Sequence, residues 1–191
     1  EYYHNHLLEI PYIWQGGMAI QGGIIFACIA AYFYLKKHQI PVLPFADTVT
    51  PGIILGQAIG RIANFMNGDA FGHPTGQDFG LLYPDTTLAY HTYGAQPLWP
   101  AEVWECQGDL LIFVLLLWYG CKTRAEGTTF CLYIMFYSLL RFFLENYRGD
   151  YGTLALGLKS AQLTSLAAFA GAFILFLYFH FKHKSKSGIS E

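Results

Sequence analysis

The chain is poor in charged residues. Only 13% of its 191 residues are Asp, Glu, Lys or Arg, about half the share found in ordinary soluble domains. Hydrophobic residues make up 54% of the sequence and aromatic residues 18%. This balance argues against a soluble domain and predicts a membrane protein.

The sequence also lacks the patterns of a disulfide framework or a zinc site. Its four cysteines have no CxxC spacing, and its seven histidines are scattered. The cysteines fall within apolar segments or at their inner ends, away from the loops where oxidation would pair them. We therefore predict no disulfides, no metal and no cofactor, and we expect no nucleic-acid partner.

Five apolar windows have the length of about 20 residues that a helix needs to cross a bilayer. They predict an all-α fold, a polytopic membrane helix bundle of about five transmembrane helices with an outward-facing loop region. No repeat divides the chain, so we expect one domain over 1–181 and a basic, disordered cytoplasmic tail over 182–191. The windows are 16–35, 48–67, 102–120, 129–147 and 161–181.

The positions of lysine and arginine predict the orientation. These residues follow the first, third and fifth windows, and short cytoplasmic loops carry the excess of positive charge. Glu1 is therefore expected outside and Glu191 in the cytoplasm. Loops 68–98 and 148–160 then face outward. The aromatic residues of loop 70–98 predict either a cap over a cavity or an interfacial aromatic belt.

Arg61 and Arg141 each lie inside a stretch that is otherwise apolar enough to cross a bilayer. An arginine within a spanning helix costs at least about 2.5 to 3.5 kcal/mol, so it normally faces a partner, a wet cavity or an anionic ligand. Two such residues suggest a phosphate site. The alternative for Arg141 is an ion pair with Glu145 that only satisfies itself.

Helical spacing places further polar residues beside both arginines. In the third window Glu105 and Asp109 lie one turn apart, so either an arginine neutralises them or one retains a proton. Glu102 is expected at the water interface. The polar faces of the second and fourth windows comprise Arg61, Asn64 and Gly68, and Tyr137, Arg141, Glu145 and Arg148.

Glycines recur in the first two windows. Gly52, Gly56 and Gly60 follow one another every four residues, which predicts a helix face for close packing. In the first window two glycine pairs flank Gln21, in the stretch WQGGMAIQGG. Alone, such pairs indicate packing as often as a ligand site.

Four segments resemble the prolipoprotein diacylglyceryl transferase family over about residues 12–150. The longest match carries the family signature around its arginine and asparagine. The other three segments occur along the chain in the family's order. The segments are FADTVTPGIILGQAIGRIANFMNGDAFGHPT, WQGGMAIQGG, LWPAEVWE and YSLLRFFLENYRGD.

The resemblance implies transfer of the diacylglyceryl group of phosphatidylglycerol to the lipobox cysteine thiol of a prolipoprotein, with formation of a thioether. The implied partners are phosphatidylglycerol, the prolipoprotein signal peptide and the lipid bilayer, and the implied location is the bacterial inner membrane. A non-catalytic protein that binds phospholipid headgroups is the second hypothesis. A small transporter is the third.

The resemblance also implies roles for particular residues. Arg61 and Arg141 would clamp the leaving phosphate as bidentate donors, and Asn64 and Tyr137 would orient the headgroup. Glu145 would hold Arg141 in its rotamer. The remaining positions that match substrate-binding segments are Asn67, Asp69, Gly72 and Arg148.

The chain departs from the family at a catalytic position. Gln21 stands where members carry a histidine proposed as the base, and an amide cannot take the thiol proton at neutral pH. Three side chains stay open as the acceptor, namely Glu105, Asp69 and His91, as does water with Gln21 orienting the substrate. The remaining alternative is a weakly active or divergent member of the family. Members also carry two more N-terminal spans, so we expect a truncated form.

Overall fold

The computed structural model describes residues 20–121, 125–149 and 158–187. These ranges are mainly helical, as the apolar windows predict, and their β structure is limited to isolated bridges. The helices are α1 (Ile20–Lys37), α2 (Val42–Asn67), α3 (Leu88–Tyr93), α4 (Ala101–Gly120), α5 (Thr128–Leu144) and α6 (Ser160–Ser187).

The chain forms two compact units, residues 1–42 and 43–191. The first contains α1, which ends in Lys36 and Lys37 and is closed by the hydrogen bond from the Ile40 amide to the Leu35 carbonyl oxygen. The second contains α2 from Leu43 onward and the other four helices. A single domain over 1–181 stays a prediction.

Two of the described helices, α2 and α6, are long and apolar enough to cross a membrane. Only 22% of the apolar window of α2 and 11% of that of α6 are buried, whereas the core helix of a soluble protein would be mostly covered. Their apolar side chains therefore face outward, as in a membrane. The five longer helices coincide with the five predicted windows, but a count of five spans is not confirmed.

Helix α6 continues beyond the predicted end of its span. It runs to Ser187, so the expectation of disorder from residue 182 is wrong for residues 182–187. Lysine, histidine and serine do not break a helix, and the first glycine after residue 181 comes only at residue 188. Residues 188–191 lie outside the described part.

The core of the second unit joins α2, α4 and α5. Ile54 of α2 packs with Ile112 and Leu116 of α4, and aromatic side chains of α5 cover them. A side chain at Gly108 would meet Leu140, so the glycine lets α4 and α5 approach closely. Helix α5 also packs against α6.

The glycine face of α2 is open. No described atom lies within 4 Å of the positions that Cβ atoms on Gly52, Gly56 or Gly60 would occupy. The close packing predicted for this face is therefore not made within the residues that the structure describes.

Asp47 of α2 caps the start of α5. Its Oδ2 accepts a hydrogen bond from the Gly127 amide at 2.7 Å, and its Oδ1 accepts one from the Phe130 amide at 2.9 Å. The first amides of a helix have no partner within the helix, and a carboxylate there also favours the helix dipole. A residue 80 positions away in sequence thus fixes where α5 begins.

We expect Asp47→Ala to lower the stability of the fold by about 2 kcal/mol, because two charge-assisted hydrogen bonds to backbone amides at the start of α5 are lost. Asp47→Asn keeps one acceptor oxygen and should lose less. Thermal unfolding of the detergent-solubilised protein measures both, with the exposed Asp78→Ala as control. Equal melting temperatures for Asp47→Ala and Asp78→Ala would contradict the capping role.

The segment 68–100 between α2 and α4 has a small core of its own. Phe71, Ala89 and Leu98 are buried there, with Tyr83 and Tyr93 packed against them. Backbone bridges join Leu98 to Pro74 and Leu81. The segment is therefore folded, and it also carries exposed apolar side chains such as Phe79 and Leu82.

Candidate anion-binding site

Glu105 is the centre of a buried cluster of charges. Its side chain has no exposed surface, and its Oε1 lies 2.7 Å from Arg61 Nη2 and accepts a hydrogen bond from the Tyr137 hydroxyl at 3.3 Å. Its Oε2 lies 3.3 Å from Arg141 Nη1 and 3.4 Å from Arg148 Nη1. A carboxylate offers about four acceptor positions, and here four donors take them. We call Glu105 and these three arginines the arginine cluster.

The cluster forms where three helix ends meet. Arg61 lies near the C-terminal end of α2, Arg141 in the last turn of α5, and Glu105 in the first half of α4. Arg148 follows the end of α5. Arg141, the basic residue in the last turn of α5, also interacts favourably with the helix dipole.

Arg141 contacts two carboxylates. Besides Glu105, it pairs with Glu145 one turn later, where Nη2 lies 2.8 Å from Oε2. The expected Arg141–Glu145 ion pair is therefore present, but it is part of a larger network rather than a self-contained pair. The side chain of Arg141 stays 15% exposed while both carboxylates are fully buried.

Asn64 and Asp69 lie beside Arg61. Arg61 Nη1 donates to Asn64 Oδ1 at 3.5 Å, and Asn64 Nδ2 donates to Asp69 Oδ1 at 2.5 Å. The turn after α2 brings Asp69 back because Gly68 has a φ of 67°, which glycine adopts without strain. Asp69 thereby reaches Arg61 through the amide of Asn64.

Gly72 acts through its backbone. It forms an antiparallel bridge with Arg148, flanked by the hydrogen bond from the His73 amide to the Tyr147 carbonyl oxygen at 2.9 Å. A Cβ on Gly72 would overlap the Trp99 carbonyl oxygen. The segment 68–100 is thus bound to the end of α5 where Arg148 lies.

Two of the predicted site residues that the structure describes are not brought into the cluster. Asn67 is exposed at the end of α2 and His91 is exposed on α3. In the described ranges neither has a hydrogen bond or ion pair with the arginine cluster. The side chain of Gln21 lies outside the described residues, so the identity of the proton acceptor stays a prediction.

The expectation that Glu102 lies at the water interface is wrong. Glu102 is fully buried, and its Oε1 accepts a hydrogen bond from the Tyr83 hydroxyl. The cause is the folded segment 68–100, which places Tyr83 over the start of α4. No local pattern in the sequence shows this cover.

Asp109 lies one turn further along α4 than Glu105. It is fully buried, and in the described part of the chain neither of its oxygens has a hydrogen bond. Glu105 pairs with Arg61, whereas Asp109 has no such partner among the described residues. Of the two alternatives predicted for these carboxylates, neutralisation by arginine applies to Glu105, and retention of a proton is the one left for Asp109.

A cavity of about 330 Å³ opens between α5 and α6 beside Arg141. Its volume is at the lower end of the range for small-ligand sites, and its position puts the guanidinium of Arg141 in its wall. Among the described residues no group of three or more His, Cys, Asp or Glu side chains could hold a metal ion. The cavity is lined by Tyr133, Ile134, Tyr137, Ser138, Arg141, Ala161, Thr164, Ser165 and Ala168.

Fold and site together define a helical membrane protein with a buried, arginine-rich cluster that is a candidate site for an anion. The family model for prolipoprotein diacylglyceryl transferase matches residues 1–178. The chain therefore belongs to the prolipoprotein diacylglyceryl transferase family, as its motifs predict.

Relatives named phosphatidylglycerol–prolipoprotein diacylglyceryl transferase agree with this assignment. The chain is 38% identical to the protein of Geobacillus kaustophilus over 167 residues, which is 86% of this chain and 62% of that protein. It is 39% identical to the protein of Staphylococcus saprophyticus over 86% of this chain and 60% of that protein. For Clostridioides difficile the identity is 37% over the whole chain and 71% of the relative. The chain spans less than two thirds of the length of the first two of these relatives.

Proposed function

We propose that the protein containing this chain transfers the diacylglyceryl group of phosphatidylglycerol to the lipobox cysteine thiol of prolipoproteins. The observation that carries the proposal is the arginine cluster: three guanidinium groups held around one buried carboxylate. Guanidinium groups bind phosphate oxygens in bidentate geometry, so a phosphodiester anion is a ligand that suits such donors inside a membrane protein.

Arg61 and Arg141 keep donors for that phosphate. Each guanidinium has five N–H groups, and each uses its two terminal nitrogens for the contacts described above. Their side chains are 20% and 15% exposed, whereas Glu105 is fully buried. The open side of each guanidinium is therefore available to an incoming anion.

In the proposed reaction a carbon–sulfur bond replaces a carbon–oxygen bond, and the thiol gives up its proton. The thiol sulfur attacks the carbon of the diacylglyceryl group that is bonded to the phosphate oxygen. A carbon–sulfur bond forms there while the bond from that carbon to the phosphate oxygen breaks. The electron pair leaves with the phosphate oxygen as glycerol phosphate, and the thiol proton passes to a base or to solvent. Arg61 and Arg141 stabilise the charge that develops on the leaving phosphate.

The other site residues have supporting roles in this proposal. Glu105 holds the three arginines in place, and Glu145 fixes the rotamer of Arg141. Asn64 and Tyr137 orient the headgroup. The cavity between α5 and α6 accepts the part of the phospholipid next to the phosphate. The remaining substrate-binding assignments are Asn67, Asp69, Gly72 and Arg148.

The proposed location is the bacterial inner membrane, with multi-pass topology. We propose five spanning helices in this chain, residue 1 outside and the C-terminus in the cytoplasm, as the distribution of lysine and arginine indicates. The arginine cluster then lies toward the outer leaflet, where the signal peptide of a translocated prolipoprotein arrives.

A non-catalytic protein that binds phospholipid headgroups is the second candidate. The observation in its favour is Gln21, which replaces the histidine of the family motif and cannot take a proton. Such a protein would keep the arginine cluster and bind phosphatidylglycerol without turnover.

The test uses the complete gene product in detergent with phosphatidylglycerol and a synthetic lipobox peptide. Mass spectrometry of the peptide should show a diacylglyceryl adduct, and a peptide with serine in place of cysteine should stay unmodified. Lipid binding without an adduct would favour the non-catalytic candidate. If the protein neither binds the lipid nor forms the adduct, both candidate functions are refuted.

A further inference from the structure

Lys159 is placed where it can control the arginine cluster without touching the ligand. It lies immediately before α6, and its side chain is 14% exposed. Its ammonium donates to the Glu145 carbonyl oxygen at 2.8 Å and to the Arg148 carbonyl oxygen at 2.6 Å. Nζ also lies 3.8 Å from Glu145 Oε1.

These contacts complete the C-terminal end of α5. The last carbonyl groups of a helix have no partner within the helix, and a cation there is favourable for the helix dipole. Because the donor is charged, both hydrogen bonds are stronger than ordinary amide bonds. Lys159 therefore adds two charged contacts to the backbone just after α5, which the bridge between Gly72 and Arg148 also holds.

The two carbonyl groups belong to residues that orient guanidinium groups. Glu145 pairs with Arg141 through Oε2 at 2.8 Å, while its Oε1 faces Lys159. Arg148 carries its own guanidinium to Glu105 at 3.4 Å. One ammonium group thus binds the backbone of Arg148 and the backbone of Glu145, the carboxylate that pairs with Arg141.

The backbone of Lys159 is fixed by a separate residue. Its amide donates to Gln162 Oε1 at 3.0 Å, and Gln162 Nε2 donates to Asn146 Oδ1 at 3.1 Å and to the Phe142 carbonyl oxygen at 3.4 Å. The start of α6 is therefore tied to the end of α5 by two side chains. This connection fixes the backbone of Lys159, from which the ammonium reaches the end of α5.

We propose that Lys159 is a positioning residue of the anion-binding site, which holds Arg141 and Arg148 in the orientation that receives the phosphate. The proposal rests on the function proposed above for its ligand, a phosphodiester. Its first test, however, measures the chemical reactivity of the arginine side chains directly and does not require the protein to be catalytically active.

That first test is labelling of the complete gene product in detergent with phenylglyoxal, an arginine-selective reagent, followed by peptide mass spectrometry. We expect Lys159→Met to change the labelling rate of Arg141 and Arg148 several-fold, because both side chains lose their fixed orientation. Lys159→Arg keeps a cationic donor and should restore most of the wild-type rate. Lys182→Met, on the exposed part of α6, is the matched control and should have no effect.

The second test is the kinetics of transfer below the melting temperature of each variant. We expect Lys159→Met to raise the KM for phosphatidylglycerol or lower kcat/KM by about 10- to 100-fold, the size of effect that misplaced groups produce, with partial rescue by Lys159→Arg. Unchanged labelling and unchanged kinetics, with only a lower melting temperature, would show a purely structural role and overturn the proposal.

The two proposals fail in different ways. If the wild-type protein forms no adduct but Lys159→Met alters the labelling of Arg141, the transferase function fails and the positioning role stands. If the wild-type protein is active and Lys159→Met labels and turns over like the wild type, the positioning role fails and the function stands.

Discussion

We expect Glu105→Gln to abolish activity and to destabilise the protein by about 3 to 5 kcal/mol, the range for removing one partner from a buried ion pair. The amide removes the negative charge that holds three guanidinium groups together. It also directs N–H donors at a group that can only donate. Thermal unfolding in detergent and adduct formation measure the two effects.

Glu105→Asp and Glu126→Gln are the comparison variants. Aspartate keeps the charge with a shorter reach, so it should retain part of the stability and some binding of phosphatidylglycerol. Glu126 is exposed, and its substitution should change nothing. A Glu105→Gln protein with wild-type stability and turnover would show that the arginines do not depend on this carboxylate.

Arg141→Lys should lower kcat/KM by about 100-fold or more, as the loss of a positioned donor to a developing charge does. Lysine keeps the charge but not the planar fork, so it cannot hold Glu105, Glu145 and a phosphate together. We expect the same for Arg61→Lys, which would lose either Glu105 or Asn64. Adduct formation at saturating lipobox peptide and varied phosphatidylglycerol provides the kinetics.

Lys37→Arg is the control for a lysine–arginine exchange, since Lys37 is exposed at the end of α1. The clamp is refuted if Arg141→Lys is fully active in this assay. A variant that still binds phosphatidylglycerol with normal affinity, yet does not turn over, would instead place the role of Arg141 in the reaction step.

The polar faces of single helices could be read from the sequence because helical spacing is local. Arg61 with Asn64, and Arg141 with Glu145, are three or four residues apart, and the structure contains both contacts. The partnership between Glu105 and three arginines could not be deduced, because it joins positions up to 44 apart on different elements. Spacing within one helix says nothing about which faces meet.

Contacts with backbone atoms were also hidden from the sequence. Asp47 was visible only as part of the family signature, and Lys159 only as a charge, yet each binds two backbone groups at an end of α5. The cover of Glu102 by Tyr83 depends on how segment 68–100 folds. These features follow from tertiary structure, which motif and hydropathy patterns do not encode.

The contacts of the arginine cluster join different helices, which has a consequence for insertion of the chain into the membrane. Arg61 lies on α2, whereas Arg141 lies on α5 and Arg148 follows it. An arginine within a spanning helix costs at least about 2.5 to 3.5 kcal/mol. Glu105 contacts all three only after α2, α4 and the end of α5 have come together. A nascent chain that stops before α5 has neither Arg141 nor Arg148 to fill the acceptor positions of Glu105. Completion of the cluster thus requires all three helices, and a chain that lacks α5 leaves Glu105 with Arg61 as its one partner among these arginines.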